Sequence, residues 1–155
     1  MTNRLQDEIK QTKPFARPSD EALLSILRTA TVLEHGSNEL LRPFGITITQ
    51  YNVLRILRGA GARGLCGREV GERLISRVPD VSRLLDRMAE IGLLAKERDA
   101  ADRRHVTARI TPKGRRVLSQ ATPILARYGR ERVERLSARG IEGLVEALEV
   151  IRAGE

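Results

Sequence analysis

The segment from Pro79 to Gly114 constrains the fold more than any other, because a helical pattern, two strand patterns and a fresh helix start follow one another there almost without linkers. Val81, Leu84, Leu85 and Met88 recur at i, i+3, i+4 and i+7, the spacing of one helix face, and predict a helix over 79–91. The opposite face carries Ser82, Arg83, Asp86, Arg87 and Glu90. Pro79 suits the first turn of this helix and Gly92 its end. Residues 93–98 and 105–110 then alternate with period two, as strands joined by "DAAD" and the arginines into a small β-hairpin. Thr111 is placed to cap the helix that follows, with Pro112 at its first position.

The rest of the chain reads as helices on either side of this segment. Residues 1–18 form a polar N-terminal arm, with Leu5 and Ile9 at helical spacing and Pro14 and Pro18 as breaks. Ser19 or Asp20 is expected to cap a helix carried by Leu23, Leu24, Ile26, Leu27, Ala30 and Leu33 to about Arg42, where Pro43 and Gly45 end it. Thr49 is expected to cap a second helix through "QYNVLRIL", broken by "GAGARGLCG", and a short helix follows at about 68–75. The helix opened by Thr111 runs to about Arg135 with a kink expected at Pro123. A last helix starts at Ser137, with Leu136 and Ile141 placed as a hydrophobic staple, and ends near Arg152. The expected fold is mainly α with a small β-hairpin. It forms one domain over 19–155, with its centre at about 46–111 and flanking helices at about 19–42 and 112–153.

Charge and aromatic content narrow the partner. The chain holds 28 Lys+Arg against 20 Asp+Glu, a net +8 that points to a polyanion. Single strands and splayed bases are usually held on aromatic platforms. Here Phe15, Phe44, Tyr51 and Tyr128 are the only aromatics, which suits the backbone and groove edges of a duplex better. The single cysteine, Cys66, excludes an internal disulfide and fits a reducing compartment. The start "MTNRLQDEIKQTK" has no apolar leader region, and no apolar run approaches the roughly 18 residues of a membrane span. A cytoplasmic protein without a membrane partner is expected.

Read together, the short helix and the 79–91 helix form a helix-turn-helix followed by a hairpin. Gly71 supplies the small residue where the first helix crosses the second, and Val81 the buried aliphatic ten positions later. Ile75 stands in the turn where a glycine is usual. A helix entering the major groove presents polar groups near its N-terminus, and Asp80, Ser82, Arg83 and Arg87 are in that position. An arginine matched to the two acceptors of guanine adds about 1–3 kcal/mol of discrimination. The alternative is a solvated helix with Arg83–Asp86 or Arg87–Glu90 as surface pairs. At the hairpin tip Arg103 and Arg104 suit a narrow, electronegative minor groove, and Asp102 can hold one guanidinium in a bidentate pair. Within this reading Arg68, Arg77, Arg87 and the wing basics, Arg103 among them, serve as phosphate contacts.

"VSRLLDRMAEIGLLAKERDAADRRHVTARITPKGRRVL" (81–118) resembles the characteristic region of the MarR family of winged-helix transcription regulators. That region has a recognition helix ending in Gly-Leu, an Asp-x-Arg wing tip and a "T-x-K-G" helix opening. Asp102, Arg104, Thr111, Lys113 and Gly114 match those positions, and the helix order extends the resemblance to 20–152. The resemblance implies a winged helix-turn-helix flanked by N- and C-terminal dimerisation helices. It implies Arg104 in the minor groove, Ser82 and Arg83 on the base-reading face, and a homodimer on a pseudopalindromic double-stranded operator. It further implies a repressor relieved by a small aromatic or phenolic effector held between the dimer helices and the winged centre, with His35 and Tyr51 as candidates to line that pocket.

Other signals carry less. "GAGARG" (59–64) has the spacing of a dinucleotide fingerprint but follows a helical pattern rather than a strand, so its glycines read as a loop. Cys66 reads as an ordinary small residue, with a redox role as the alternative. His35 and His105 stand far apart with no Cys/His cluster, so no metal or cofactor is expected, and no nucleophile–base pattern suggests an enzyme. The rival function is a basic helical adaptor that binds protein or RNA without operator specificity.

Overall fold

The computed structural model describes residues 5–98 and 106–154. In chain order these form α1 (Leu5–Glu8), α2 (Pro18–Leu41), α3 (Ile48–Ala60), β1 (Leu65–Cys66), α4 (Gly67–Arg73), α5 (Val81–Glu90), β2 (Leu94–Arg98), β3 (Val106–Ile110), α6 (Pro112–Val133) and α7 (Ala138–Arg152). Two 3-10 turns, Arg42–Phe44 and Gly61–Arg63, follow α2 and α3. The mainly α fold with a β wing is as expected, but the sheet is larger than a hairpin. It has three antiparallel strands in the order β1-β3-β2. Leu94 pairs with Ile110 and Arg98 with Val106 across the wing, while Leu65 and Cys66 pair with Ala108 and Thr107 on the other edge of β3.

Four helix starts, at Thr47, Asp80, Thr111 and Ser137, are set by short polar side chains, and some starts lie elsewhere than the sequence suggested. The α2 N-cap is Arg17, with Pro18 as the first helical residue and no side-chain cap. Ser19 and Asp20 therefore sit inside the first turn rather than capping it. α3 is capped by Thr47, not Thr49: the Thr47 hydroxyl accepts the Gln50 N–H at 3.2 Å, and the Gln50 side chain accepts the Thr47 N–H at 2.9 Å. Asn38 Oδ1 of α2 accepts the Ile48 N–H at 2.8 Å, so the long helix helps start the next. Pro79 lies before the Asp80 cap of α5 rather than in its first turn. Thr111 caps α6 as expected, and α6 continues as helix through Pro123. Ser137 caps α7, its hydroxyl accepting the Gly140 N–H at 3.1 Å.

The core lies beneath the wing, among α3, α4, α5, the sheet and the first turns of α6. Val53, Leu54, Leu57, Val70, Met88 and Leu118 have no exposed surface. Each such side chain contributes about 1.5–3 kcal/mol relative to exposure. Leu84, Leu85 and Met88 of the predicted stripe are all buried, and Val81 packs against the same cluster. Gly71 gives the two helices of the helix-turn-helix their close crossing, since a Cβ there would meet the Val81 side chain at 3.3 Å. The base of the wing is joined to α6 still more tightly. A Cβ on Gly114 would collide with the carbonyl oxygen of Leu93. The Thr111 hydroxyl reaches the carbonyls of Gly92 and Leu93 at 2.7 and 3.0 Å, and accepts the Gly114 N–H at 3.1 Å. The arm read as a tail contributes one buried side chain, Leu5, and its Glu8 pairs with Arg28 of α2 at 3.4 Å.

Candidate nucleic-acid interface

The presentation of α5 follows from its amphipathic pattern. Leu84, Leu85 and Met88 anchor one face in the core, which leaves Ser82, Arg83 and Arg87 exposed on the other. Asp80, exposed beside them, also caps the helix: its Oδ1 accepts the Arg83 N–H at 2.9 Å. Asp86 forms an ion pair with Lys96 of β2, so it binds the recognition helix to the wing strand rather than pairing with Arg83. Two of the carboxylates nearest the arginines are thus engaged internally, and the outward face keeps a cationic character. Sequence reasoning missed Lys96 because its partner lies on a different element.

The turn before α5 is fixed from α3. Asn52 Oδ1 accepts the Ile75 N–H at 3.1 Å, while the Ile75 side chain is 86% exposed. Arg77 in that turn is exposed. On α4, Arg68 is exposed too, but Glu72 lies 2.9 Å from its Nε, and that hydrogen bond and charge raise the guanidinium pKa. An exposed pair of this kind is worth about 0.2–1 kcal/mol, so a phosphate can take the place of Glu72 at little cost. Glu69 is held below its ordinary pKa, first by the Cys66 N–H it accepts at 2.9 Å and then, more weakly, by the charges of Arg63 and Arg73. Cys66 is half-buried at the junction of β1 and α4. Asp102, Arg103, Arg104 and His105 lie outside the described residues.

Two clefts flank these elements. One, of about 680 Å³, opens between α4, α5 and the inner face of the sheet, where Arg68, Ser82 and Lys96 line it. The other, of about 470 Å³, lies between α2, α3 and α6 and is lined by Ile48, Tyr51, Arg55, Arg58, Leu125 and Tyr128 among others. The Tyr51 hydroxyl donates to Thr122 Oγ1 at 3.2 Å across this second cleft. His35 does not share it: that side chain is exposed on α2 and is not part of the lining. Arg55 and Arg58 escaped the sequence reading although Tyr51, Arg55 and Arg58 have i, i+4, i+7 spacing, a signal for one helix face. Among the described residues no three His, Cys, Asp or Glu side chains are grouped to hold a metal ion, and no helix is long and apolar enough to cross a membrane.

Comparison with known proteins places this architecture. A model described as the MarR family matches residues 44–105. The transcriptional regulator HosA of Escherichia coli O127:H6 is 34% identical over 93 residues, which cover 60% of this chain and 67% of HosA. The uncharacterized HTH-type transcriptional regulator YkoM of Bacillus subtilis is 31% identical over 96 residues, covering 62% of this chain and 60% of YkoM. The matched part of this chain thus spans less than two thirds of YkoM. Sco3205, described as a MarR family transcriptional regulator from Streptomyces coelicolor and solved in complex with DNA, superposes with a TM-score of 0.78 at 24% identity, over 93% of this chain and 92% of that one.

Proposed function

Because the chain belongs to the MarR family, we propose that it is a sequence-specific regulator of transcription that binds double-stranded DNA as a homodimer on a pseudopalindromic operator. The observation that carries this reading is the outward face of α5: Ser82, Arg83 and Arg87 stand exposed while Asp80 and Asp86 are engaged within the protein. Ser82 and Arg83 read base edges in the major groove, and Arg68, Arg77 and Arg87 hold phosphates. Arg104 enters the minor groove, aimed by Asp102, with Arg103 on the backbone. Sco3205, a protein of the same fold, was solved in complex with DNA, which supports DNA as the partner.

The centre, about 46–111, carries recognition, and the helices at about 19–42 and 112–153 carry the dimer. Exposed Leu23, Leu24 and Leu27 on α2 and Val145, Val150 and Ile151 on α7 supply the apolar surface a symmetric interface needs. The protein acts in the cytoplasm as a repressor, without catalytic activity. A small aromatic or phenolic effector seats in the cleft containing Tyr51, with His35 outside it, and shifts the dimer away from the operator-bound arrangement. Selection of duplexes from a random pool tests the central claim. Recovery of an inverted repeat is the expected result, and no enrichment above a basic control protein sinks the reading in favour of a non-specific adaptor.

A further inference from the structure

One wing arginine, Arg109, is held by contacts within the protein rather than left free for a phosphate. Arg109 alternates with buried Ala108 and Ile110 on β3, which puts its side chain on the outer face of the sheet. Its Nε donates to the carbonyl oxygen of Ala62 at 2.6 Å, in the 3-10 turn between α3 and β1, and its Nη1 pairs with Glu97 of β2. A single planar guanidinium therefore joins both wing strands to a loop 47 positions away in sequence. The backbone pairing of β1 with β3 stops at Ala108, so the Arg109 side chain takes up the connection one residue further toward the base. Gly64 permits the approach: its φ is +68°, and a Cβ there would lie 2.6 Å from the Ala108 carbonyl oxygen and 2.7 Å from Arg109 Cγ. Beside Ala62, Arg63 pairs with Glu69 of α4, which also accepts the Cys66 N–H. The tie thus runs from β2 through β3 and the loop into the first helix of the helix-turn-helix.

A two-strand ribbon is marginal by itself, and its direction depends on what fixes its base. We propose that Arg109 is a positioning residue that sets the angle of the wing against the helix-turn-helix, and so governs duplex affinity without touching DNA. The inference rests on the DNA-binding reading above. Its test is a double-substitution cycle of Arg109→Ala and Arg104→Ala in the full chain, titrated by fluorescence anisotropy against the selected duplex. Arg109→Ala alone is expected to weaken binding about tenfold, and in the Arg104→Ala background by less than about twofold, because the wing then has nothing left to aim.

Additive losses overturn the proposal, since a direct phosphate contact or a general weakening of the domain adds in both backgrounds. Glu97→Gln removes one limb of the tie from an exposed position. It is expected to weaken binding with the same non-additivity while leaving the unfolding temperature and the oligomeric state unchanged. Unchanged or tighter binding by Glu97→Gln counts against the tie. Failure of the wild-type protein to bind any duplex defeats the DNA-binding reading itself, whereas wild-type binding with an additive cycle defeats only the role of Arg109.

Discussion

α3, α4, α5 and the sheet bury their apolar side chains inside the chain, whereas α7, and α2 apart from Leu41 at its end, leave most of theirs partly or wholly in the open. Val53, Leu54 and Leu57 of α3 are fully buried, while Leu27 of α2 is 56% exposed and Val150 of α7 is 74% exposed. α7 contains no buried residue at all. The MarR family model matches 44–105, the central span alone. A recognition surface has to be held at fixed angles by its own core, so its packing is complete within one chain. A helix that would complete its burial against a second copy, as proposed for α2 and α7, needs only an apolar stripe, which many sequences supply.

The sharpest way to break that contrast is to charge the open face. In the proposed symmetric dimer Leu27→Glu appears twice and forfeits about 1.5–3 kcal/mol per copy, so the dimer dissociation constant should rise at least about a hundredfold. Sedimentation equilibrium measures this, and a variant that stays dimeric with wild-type affinity shows that α2 is not interface. Next in size, Leu57→Ala leaves a cavity in the centre and should cost about 2–5 kcal/mol in urea unfolding. A cost below about 1 kcal/mol would mean that the centre is not the self-sufficient core described above. Arg83→Ala leaves both cores alone and should lose about 1–3 kcal/mol on the operator with a much smaller loss on random duplex. Equal losses on the two duplexes assign Arg83 to phosphate binding.

The smallest effect is a pH dependence. Glu69 has a folded pKa below its ordinary 4.5, chiefly through the Cys66 N–H. A depressed carboxylate stabilises the fold above the unfolded value, and that contribution fades as pH falls through the lower folded value. Acid titration of stability in this window should flatten in Glu69→Gln. An identical acid slope in the two proteins removes Glu69 as a contributor.

Local patterns proved legible where a single element carries them. The stripe of α5, the Thr111 cap and the helix order could be read because each depends on residues within one or two turns. The caps of α2 and α3 were displaced by two or three positions; at α3, Thr47 and Thr49 both satisfy the local rule and the Asn38 bond to Ile48 helps fix the start at Thr47. β1 was invisible because two residues have no periodicity, and its existence depends on pairing with Ala108 and Thr107. Lys96–Asp86 and Arg109–Ala62 were missed for the same reason: their partners meet only after the sheet has formed. Tyr51 could be placed at the second cleft, but His35 could not be excluded from it, because helix rotation about the long axis of α2 is set by tertiary packing.

The joint at Thr111 and Gly114 has a mechanical consequence. With no space between Gly114 and the Leu93 carbonyl, the wing base and the start of α6 move as one body. α6 has 22 residues, a rod of roughly 33 Å at about 1.5 Å per residue. A tilt of about 5° at one end displaces the other by about 3 Å, close to the rise of one base pair, by the same rod geometry. Leu125 and Tyr128 of that rod line the second cleft, so in the proposed homodimer whatever widens the cleft shifts the wing base by a distance on the scale of one base pair.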